Sequence, residues 1–148
     1  ENMSHELEIF RSVGIQEKRE IPPERFYADL LDRALREIEA LGAPVVMVCG
    51  PIRGASGDDA QQNLVRLQER IVEISTRGER VFNQTGYKES ELTDPPNEIE
   101  LKMEIFYQGI LASRKIAKIY VLPGWETSSG TQKEIVYATQ HGVPIEYL

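Results

Sequence analysis

The sequence has one cysteine, two histidines and no long hydrophobic run, and each scarcity argues against a class of protein. Cys49 has no second cysteine for an internal disulfide, so the composition indicates a reducing compartment, and we expect a cytoplasmic protein. No apolar run approaches the roughly 18 residues that cross a membrane, and the first residues lack a secretory signal pattern. His5 and His141 are isolated, so we expect no metal site, and no motif calls for a cofactor.

Basic residues are also in the minority. The net charge of −7 argues against broad contact with a phosphate backbone, so nucleic acid is not an expected partner. A length of 148 residues with 41% hydrophobic residues is typical of a single globular domain. We expect a polar N-terminal extension over residues 1–21 and one α/β domain over residues 22–148.

Strand and helix patterns alternate along the chain. Residues 44–49 (PVVMVC) and 118–122 (KIYVL) are short, apolar and rich in β-branched side chains, which is typical of strands buried on both faces. The patterns predict helices over 23–41, 58–77, 98–113 and 131–140, further strands over 80–83 and 144–147, and a long loop over 84–97. This order predicts a parallel sheet of four to five strands with helices on both faces.

A glycine-rich loop follows the first predicted strand. Ligands of such sheets bind outside the carboxyl ends of the strands, where the strand order reverses. Gly50 and Gly54 allow a ligand to approach the backbone closely, and Arg53 offers a fork of donors that suits phosphate. The alternative is an ordinary strand-to-helix turn with an arginine that faces solvent.

A second loop, residues 123–130, follows the third predicted strand. The hydroxyl and N–H groups of Ser128, Ser129 and Gly130 precede a helix and could hold a phosphate, although N-capping alone would explain the serines. Trp125 in the same loop would either stack on a base or cover the edge of the core. Asn83 and Tyr87, after the second strand, are weaker candidates of the same kind.

Glu134 lies one turn into the helix after this second loop. Its carboxylate is suited to attack an anomeric carbon or to act as a base. The alternative is an acidic residue that complements the helix dipole. Two loops of this kind at the same sheet edge favour a pocket for a nucleotide or a phosphorylated sugar.

The residues of both loops resemble a known family. The run Cys49-Gly50-Pro51-Ile52-Arg53-Gly54 is similar to the first loop of the nucleoside 2-deoxyribosyltransferase superfamily, and closest to that of the 2′-deoxynucleoside 5′-monophosphate N-glycosidases. Residues 122–130 (LPGWETSSG), followed by Glu134 and Ala138, resemble the second signature in the form of a Pro-Gly-Trp branch. The resemblance covers residues 44–148 and implies a flavodoxin/Rossmann-like three-layer sandwich.

The resemblance also implies roles for individual residues. The nucleophilic glutamate of the family falls on Glu134, the phosphate-binding first loop falls on Ile52, Arg53 and Gly54, and a phosphate-binding serine falls on Ser128. The aspartate that protonates the leaving base in the family has no counterpart here, because an ungapped count reaches Ile110.

Glu104, earlier in the same predicted helix, is therefore the candidate acid, with a water molecule as the alternative proton donor. The sequence thus favours an N-glycosidase or deoxyribosyltransferase-like enzyme acting on a nucleoside monophosphate, with a non-catalytic nucleotide-binding module as the alternative. Members of the family often complete their sites with a neighbouring subunit, so we expect a homodimer or a higher homo-oligomer.

Overall fold

Helices and strands alternate through residues 21–52, 60–92 and 94–148, which are the residues that the structure, a computed structural model, describes. The helices are α1 (Pro23–Leu41), α2 (Ala60–Thr76), α3 (Thr85–Lys88), α4 and α5 (Ser129–Gln140). Helix α4 is continuous in three parts: Pro96–Lys102, a π-helical turn Met103–Tyr107, and Gln108–Ala112. The strands are β1 (Val45–Cys49), β2 (Arg80–Val81), β3 (Lys118–Val121) and β4 (Ile145–Tyr147).

The four strands form one parallel sheet in the order β2-β1-β3-β4. In the central pair, Val46 aligns with Lys118 and Cys49 with Val121. The chain leaves β1 toward β2 on one side and later returns to β3 on the other side. The order therefore reverses between β1 and β3, where a parallel sheet opens a crevice at its carboxyl edge.

Both faces of the sheet are covered by helices. Side chains alternate across a strand, so Val45, Met47 and Cys49 of β1 pack with α1, α4 and α5, whereas Val46 and Val48 pack with α2. All five β1 residues are buried, as the apolar run predicts. The flavodoxin/Rossmann-like three-layer α/β fold is confirmed. Among the described residues, no helix has the length and apolar character required to cross a membrane.

The segment between β2 and α4 differs from its prediction. A loop is expected over 84–97, but the chain forms α3 and then a 3-10 turn, Glu89–Leu92. Asn83 makes this possible, because its side-chain oxygen accepts hydrogen bonds from the Thr85 N–H at 3.0 Å and the Thr85 hydroxyl at 2.6 Å. This is an Asx turn immediately before the helix, which the sequence prediction did not assign to Asn83.

Two helices begin two residues earlier than predicted. Helix α4 begins at Pro96, since a proline is tolerated in the first turn of a helix. Helix α5 begins at Ser129 because Ser128 caps it. The predicted helix over 23–41 is confirmed as α1, which packs on α4. The predicted extension, residues 1–21, lies outside the described residues except for Ile21.

Candidate active site

A pocket of about 350 Å³ opens beside the carboxyl ends of β1 and β3, where the strand order reverses. Its walls come from the end of β1, the α3 segment, the first half of α4 and the start of α5. The lining residues are Gly50, Ile52, Lys88, Glu91, Pro96, Ile99, Glu100, Met103, Ser128, Ser129, Gly130, Thr131, Lys133 and Glu134. Six sequence-predicted site residues therefore meet in one pocket: Gly50, Ile52, Ser128, Ser129, Gly130 and Glu134.

The wall at the end of β1 is held by close packing. A Cβ on Gly50 would lie 2.7 Å from the Cδ1 atom of Leu122, which is itself buried, so any larger residue there requires the leucine to shift. Asn63 of α2 donates a hydrogen bond of 3.1 Å to the Ile52 carbonyl oxygen. These contacts fix the start of the first loop. Arg53 and Gly54 lie outside the described residues.

Ser128 forms the N-cap of α5. Its buried hydroxyl oxygen accepts a hydrogen bond from the Thr131 N–H at 3.2 Å and lies 2.9 Å from the Thr131 hydroxyl oxygen. Ser128 therefore performs the capping role on the wall of the pocket. The exposed Ser129 and the half-buried Gly130 begin the helix at the same wall, where free N–H groups and the helix dipole favour an anion.

Glu134 is almost completely buried, with 1% of its surface exposed, although it lines the pocket. Within the described part of the chain, its Oε2 atom receives no hydrogen bond. Burial raises the pKa of Glu134, whereas the Lys88 ammonium and a hydrogen bond with the Cys49 thiol oppose that rise. An acceptor of this kind at a pocket wall is placed to react with, or to bind, whatever fills the pocket.

Lys88 is the charge closest to Glu134 among the ion pairs of the described residues. Its Nζ atom lies 3.8 Å from Glu134 Oε2, too far for a hydrogen bond, and 4.2 Å from the centre of the Tyr107 ring. Burial lowers the pKa of Lys88, but the carboxylates of Glu134 and Glu91 outweigh burial and raise it. Lys88 is therefore a buried cation in its charged form.

A second buried ion pair supports this wall. Lys102 Nζ lies 3.0 Å from Glu91 Oε2 and also donates to the Tyr87 carbonyl oxygen. The Tyr107 hydroxyl donates to the same Glu91 oxygen at 2.5 Å. Burial raises the pKa of Glu91, but Lys102 and Lys88 have the larger opposite effect, so the pKa is lowered overall. This network joins the segment after β2 to α4 and keeps Glu91 ionised.

Four sequence-predicted residues lie outside the pocket wall. Glu104 is exposed on α4 and does not line the pocket. Trp125 packs against the core and against the Tyr147 ring, with centroids 5.5 Å apart, so it covers the edge of the core. Asn83 forms the turn before α3, as described above.

Tyr87 is a core residue, with its ring against Phe82 and Phe106. Its hydroxyl donates to Glu37 at 2.8 Å. Tyr87 therefore does not present its ring to the pocket, and the structure does not place it with Glu134.

The sequence prediction missed Lys88, Glu91 and Lys102. Lys102 carried a signal, because its helical spacing from Ile99 and Phe106 places a charge on an apolar stripe, which indicates a buried ion pair. Lys88 and Glu91 had no such signal beyond their position in an unusually long connection. No cluster of His, Cys, Asp or Glu in the described ranges could hold a metal ion.

Comparisons with known proteins give one match. Residues 44–147 match the family model described as "Domain of unknown function (DUF4406)". No curated protein matches the chain, and no solved structure matches it either. The matched region contains all four strands and every residue that lines the pocket.

Proposed function

The chain belongs to the DUF4406 family, and we propose that it cleaves the N-glycosidic bond of a nucleoside or deoxynucleoside 5′-monophosphate. The observation that carries the proposal is the buried Glu134 carboxyl, whose Oε2 atom accepts no hydrogen bond from the described residues and which shares a pocket with the start of α5. A free carboxyl oxygen and an anion-binding helix start are the two elements that such a reaction requires.

The phosphate end of the proposed substrate lies at the start of α5. The N–H groups of Ser129 and Gly130 are at a helix N-terminus, and a dianionic phosphate gains both hydrogen bonds and the helix dipole there. Gly50 and Ile52 face this position from the end of β1. Arg53 follows Ile52 in the sequence, and we propose it as a further phosphate-binding residue on the basis of the sequence alone.

The base lies against the apolar side of the pocket in this proposal. Pro96, Ile99 and Met103 line that side from α4. Apolar walls with a few convergent polar groups are usual in ligand sites. Met103 begins the π-helical turn, and such turns occur frequently at functional sites.

The reaction proceeds in two steps in this proposal. The Glu134 carboxylate forms a bond to C1′ while the C1′–N bond breaks, and the electron pair leaves on the base, which takes a proton. Water then attacks C1′ and gives a proton to the acid that protonated the base, while the bond to Glu134 breaks and its carboxylate is restored. A second sugar acceptor in place of water would give transfer instead of hydrolysis.

Glu100 is the acid of the proposed reaction, in place of Glu104. Both are exposed residues of α4, but Glu100 lies one turn earlier and lines the pocket, whereas Glu104 does not. Glu91 also lines the pocket, yet its bonds to Lys102 and Tyr107 lower its pKa and make it a poor proton donor. Positioned acids typically contribute 10²–10⁴-fold to a rate.

A second candidate is a non-catalytic nucleotide-binding module. The observation that favours it is the burial of Glu134, which raises the pKa of the carboxyl and so disfavours the ionised form that attacks an anomeric carbon. In that case the same pocket would bind a nucleotide and release it unchanged.

The test is a chromatographic assay for free base after incubation with each common ribo- and deoxyribonucleoside monophosphate, together with a thermal-shift measurement of binding. The enzyme proposal expects base release by the wild type, loss of release with retained binding in Glu134→Gln, and a fall of about 10²-fold or more in Glu100→Gln. Glu104→Gln is the matched control and should keep its rate. Binding without release in the wild type would favour the binding module, and absence of both would contradict both proposals.

A further inference from the structure

Lys88 and Glu134 form a donor and acceptor pair that faces the pocket without a direct hydrogen bond. Both side chains are nearly buried, 4% and 1% exposed, and their Nζ and Oε2 atoms are 3.8 Å apart. Charged pairs that bond directly lie at about 2.7–2.9 Å. Elsewhere in the described chain the buried Lys102–Glu91 pair is 3.0 Å apart, so burial alone does not prevent closer contact.

We propose that this pair recognises one hydroxyl group of the substrate, the 2′-hydroxyl of a ribose, and that the pocket is therefore built for ribonucleotides rather than deoxyribonucleotides. The inference rests on the proposed function, because it takes Glu134 as the group that approaches C1′. It adds the class of sugar and assigns Lys88 as a residue that determines specificity.

The separation of the two atoms matches the distances that a bridging hydroxyl group requires. An oxygen about 2.8 Å from each atom, at ordinary hydrogen-bond length, completes a triangle on the 3.8 Å base with an apex of roughly 85°. Such a hydroxyl donates its proton to Glu134 Oε2 and accepts a hydrogen bond from Lys88 Nζ. A methylene group in the same place satisfies neither atom, and an oxygen with no proton cannot donate to the carboxylate.

The position of C1′ selects the 2′-hydroxyl. A carboxylate that approaches C1′ lies beside the substituent on the neighbouring carbon, and glycosidases commonly form hydrogen bonds to that hydroxyl that strengthen in the transition state. Among the described residues, the other titratable groups that interact with Glu134 are Glu91 on the 3-10 turn after α3, Cys49 on β1, Tyr107 of α4 and Tyr137 of α5. None of these four is a cation, so Lys88 is the charged donor that a 2′-hydroxyl would meet there.

The test uses two sugars that have no base, ribose 5-phosphate and 2-deoxyribose 5-phosphate, which differ only in the 2-hydroxyl. Binding of each is measured by calorimetric titration to the wild type, Lys88→Met, Lys133→Met and the doubly neutral Lys88→Met/Glu134→Gln. In the wild type we expect ribose 5-phosphate to bind at least about tenfold more tightly, because a hydrogen bond to a charged group is lost with the hydroxyl.

The variants locate the discrimination. The ratio should fall toward one in Lys88→Met, and also in the double variant, which carries no unpaired charge and protects the test against misfolding. Lys133→Met removes another lysine that lines the pocket and should weaken both sugars equally, with the ratio unchanged.

Three results would overturn the inference. Equal binding of the two sugars by the wild type refutes hydroxyl recognition and leaves the glycosidase proposal standing. A loss in Lys88→Met that is the same for both sugars and for inorganic phosphate assigns Lys88 to the phosphate instead. Absence of binding for both sugars refutes recognition of the sugar by this pair, whereas the proposed function is decided separately by the assay for free base.

Discussion

Replacement of Lys102 by methionine removes a cation from the interior and leaves its partner carboxylate in place. Lys102 is 1% exposed, its Nζ lies 3.0 Å from Glu91 Oε2, and the Tyr87 carbonyl oxygen accepts a second hydrogen bond from it. Methionine has a similar length but no donor. Glu91, with 8% of its side chain exposed, then keeps the hydrogen bond from the Tyr107 hydroxyl and the attraction of the more distant Lys88.

The expected cost follows from that burial. Loss of one partner of a buried ion pair typically destabilises a protein by about 3–5 kcal/mol, because the remaining charge is not solvated. With a urea dependence of about 2 kcal/mol/M, the midpoint of unfolding should fall by roughly 2 M. The pair itself is not expected to add much stability over a neutral pair, so Lys102→Met/Glu91→Gln should recover most of the loss.

The assay is equilibrium urea unfolding followed by circular dichroism. Lys115→Met is the matched control, since Lys115 pairs with Glu39 at 2.7 Å but both side chains are partly or largely exposed, at 32% and 65%. The control should have a midpoint close to that of the wild type, because exposed pairs contribute little. Two results would refute the expected effect of burial. One is an equal shift of the urea midpoint in Lys102→Met and Lys115→Met, and the other is a double variant that is less stable than Lys102→Met.

Three further predictions concern the pocket wall. Burial raises the pKa of Glu134, so the stability that its protonated form contributes is complete below the ordinary glutamate pKa and is lost as the pH rises through the folded-state pKa. As the pH rises from the ordinary glutamate pKa through the folded-state pKa, the melting temperature of Glu134→Gln should therefore increase relative to that of the wild type. A difference in melting temperature that does not change with pH would contradict this. Ser128→Ala should cost about 1 kcal/mol in urea unfolding because α5 loses its cap, whereas the same loss in Ser129→Ala would argue against capping. Gly50→Ala should cost about 1–3 kcal/mol, because its Cβ would lie 2.7 Å from Leu122 Cδ1, and an unchanged midpoint would show that the leucine can move.

The fold could be predicted because its signals are local. The runs at β1 and β3 carry apolar residues on successive positions, which is typical of a strand that is covered on both faces. The segments between the strands have helical spacing, and this alternation allows few topologies. The position of the pocket follows from the same argument, since the two loops end neighbouring strands.

The chemistry of the pocket could be predicted only in part. Ser128 and Glu134 belong to one helix start, so their spacing in the sequence fixes their relation in space. Lys88 and Glu134 are 46 positions apart, and their pairing depends on how the segment after β2 packs against α5. That segment is polar and has the pattern of a loop. Its charged side chains are buried by tertiary packing, which the local sequence does not predict.

Glu134 is the residue on which the proposed reaction depends, and the decisive measurement is base release from a nucleoside monophosphate with the protein in excess. A single turnover of this kind reports chemistry without product release. We expect release by the wild type and none by Glu134→Gln, while both proteins bind the nucleotide with similar affinity. Equal rates in the two proteins, or a wild type that binds the nucleotide and never cleaves it, would contradict the assignment of Glu134 as the nucleophile.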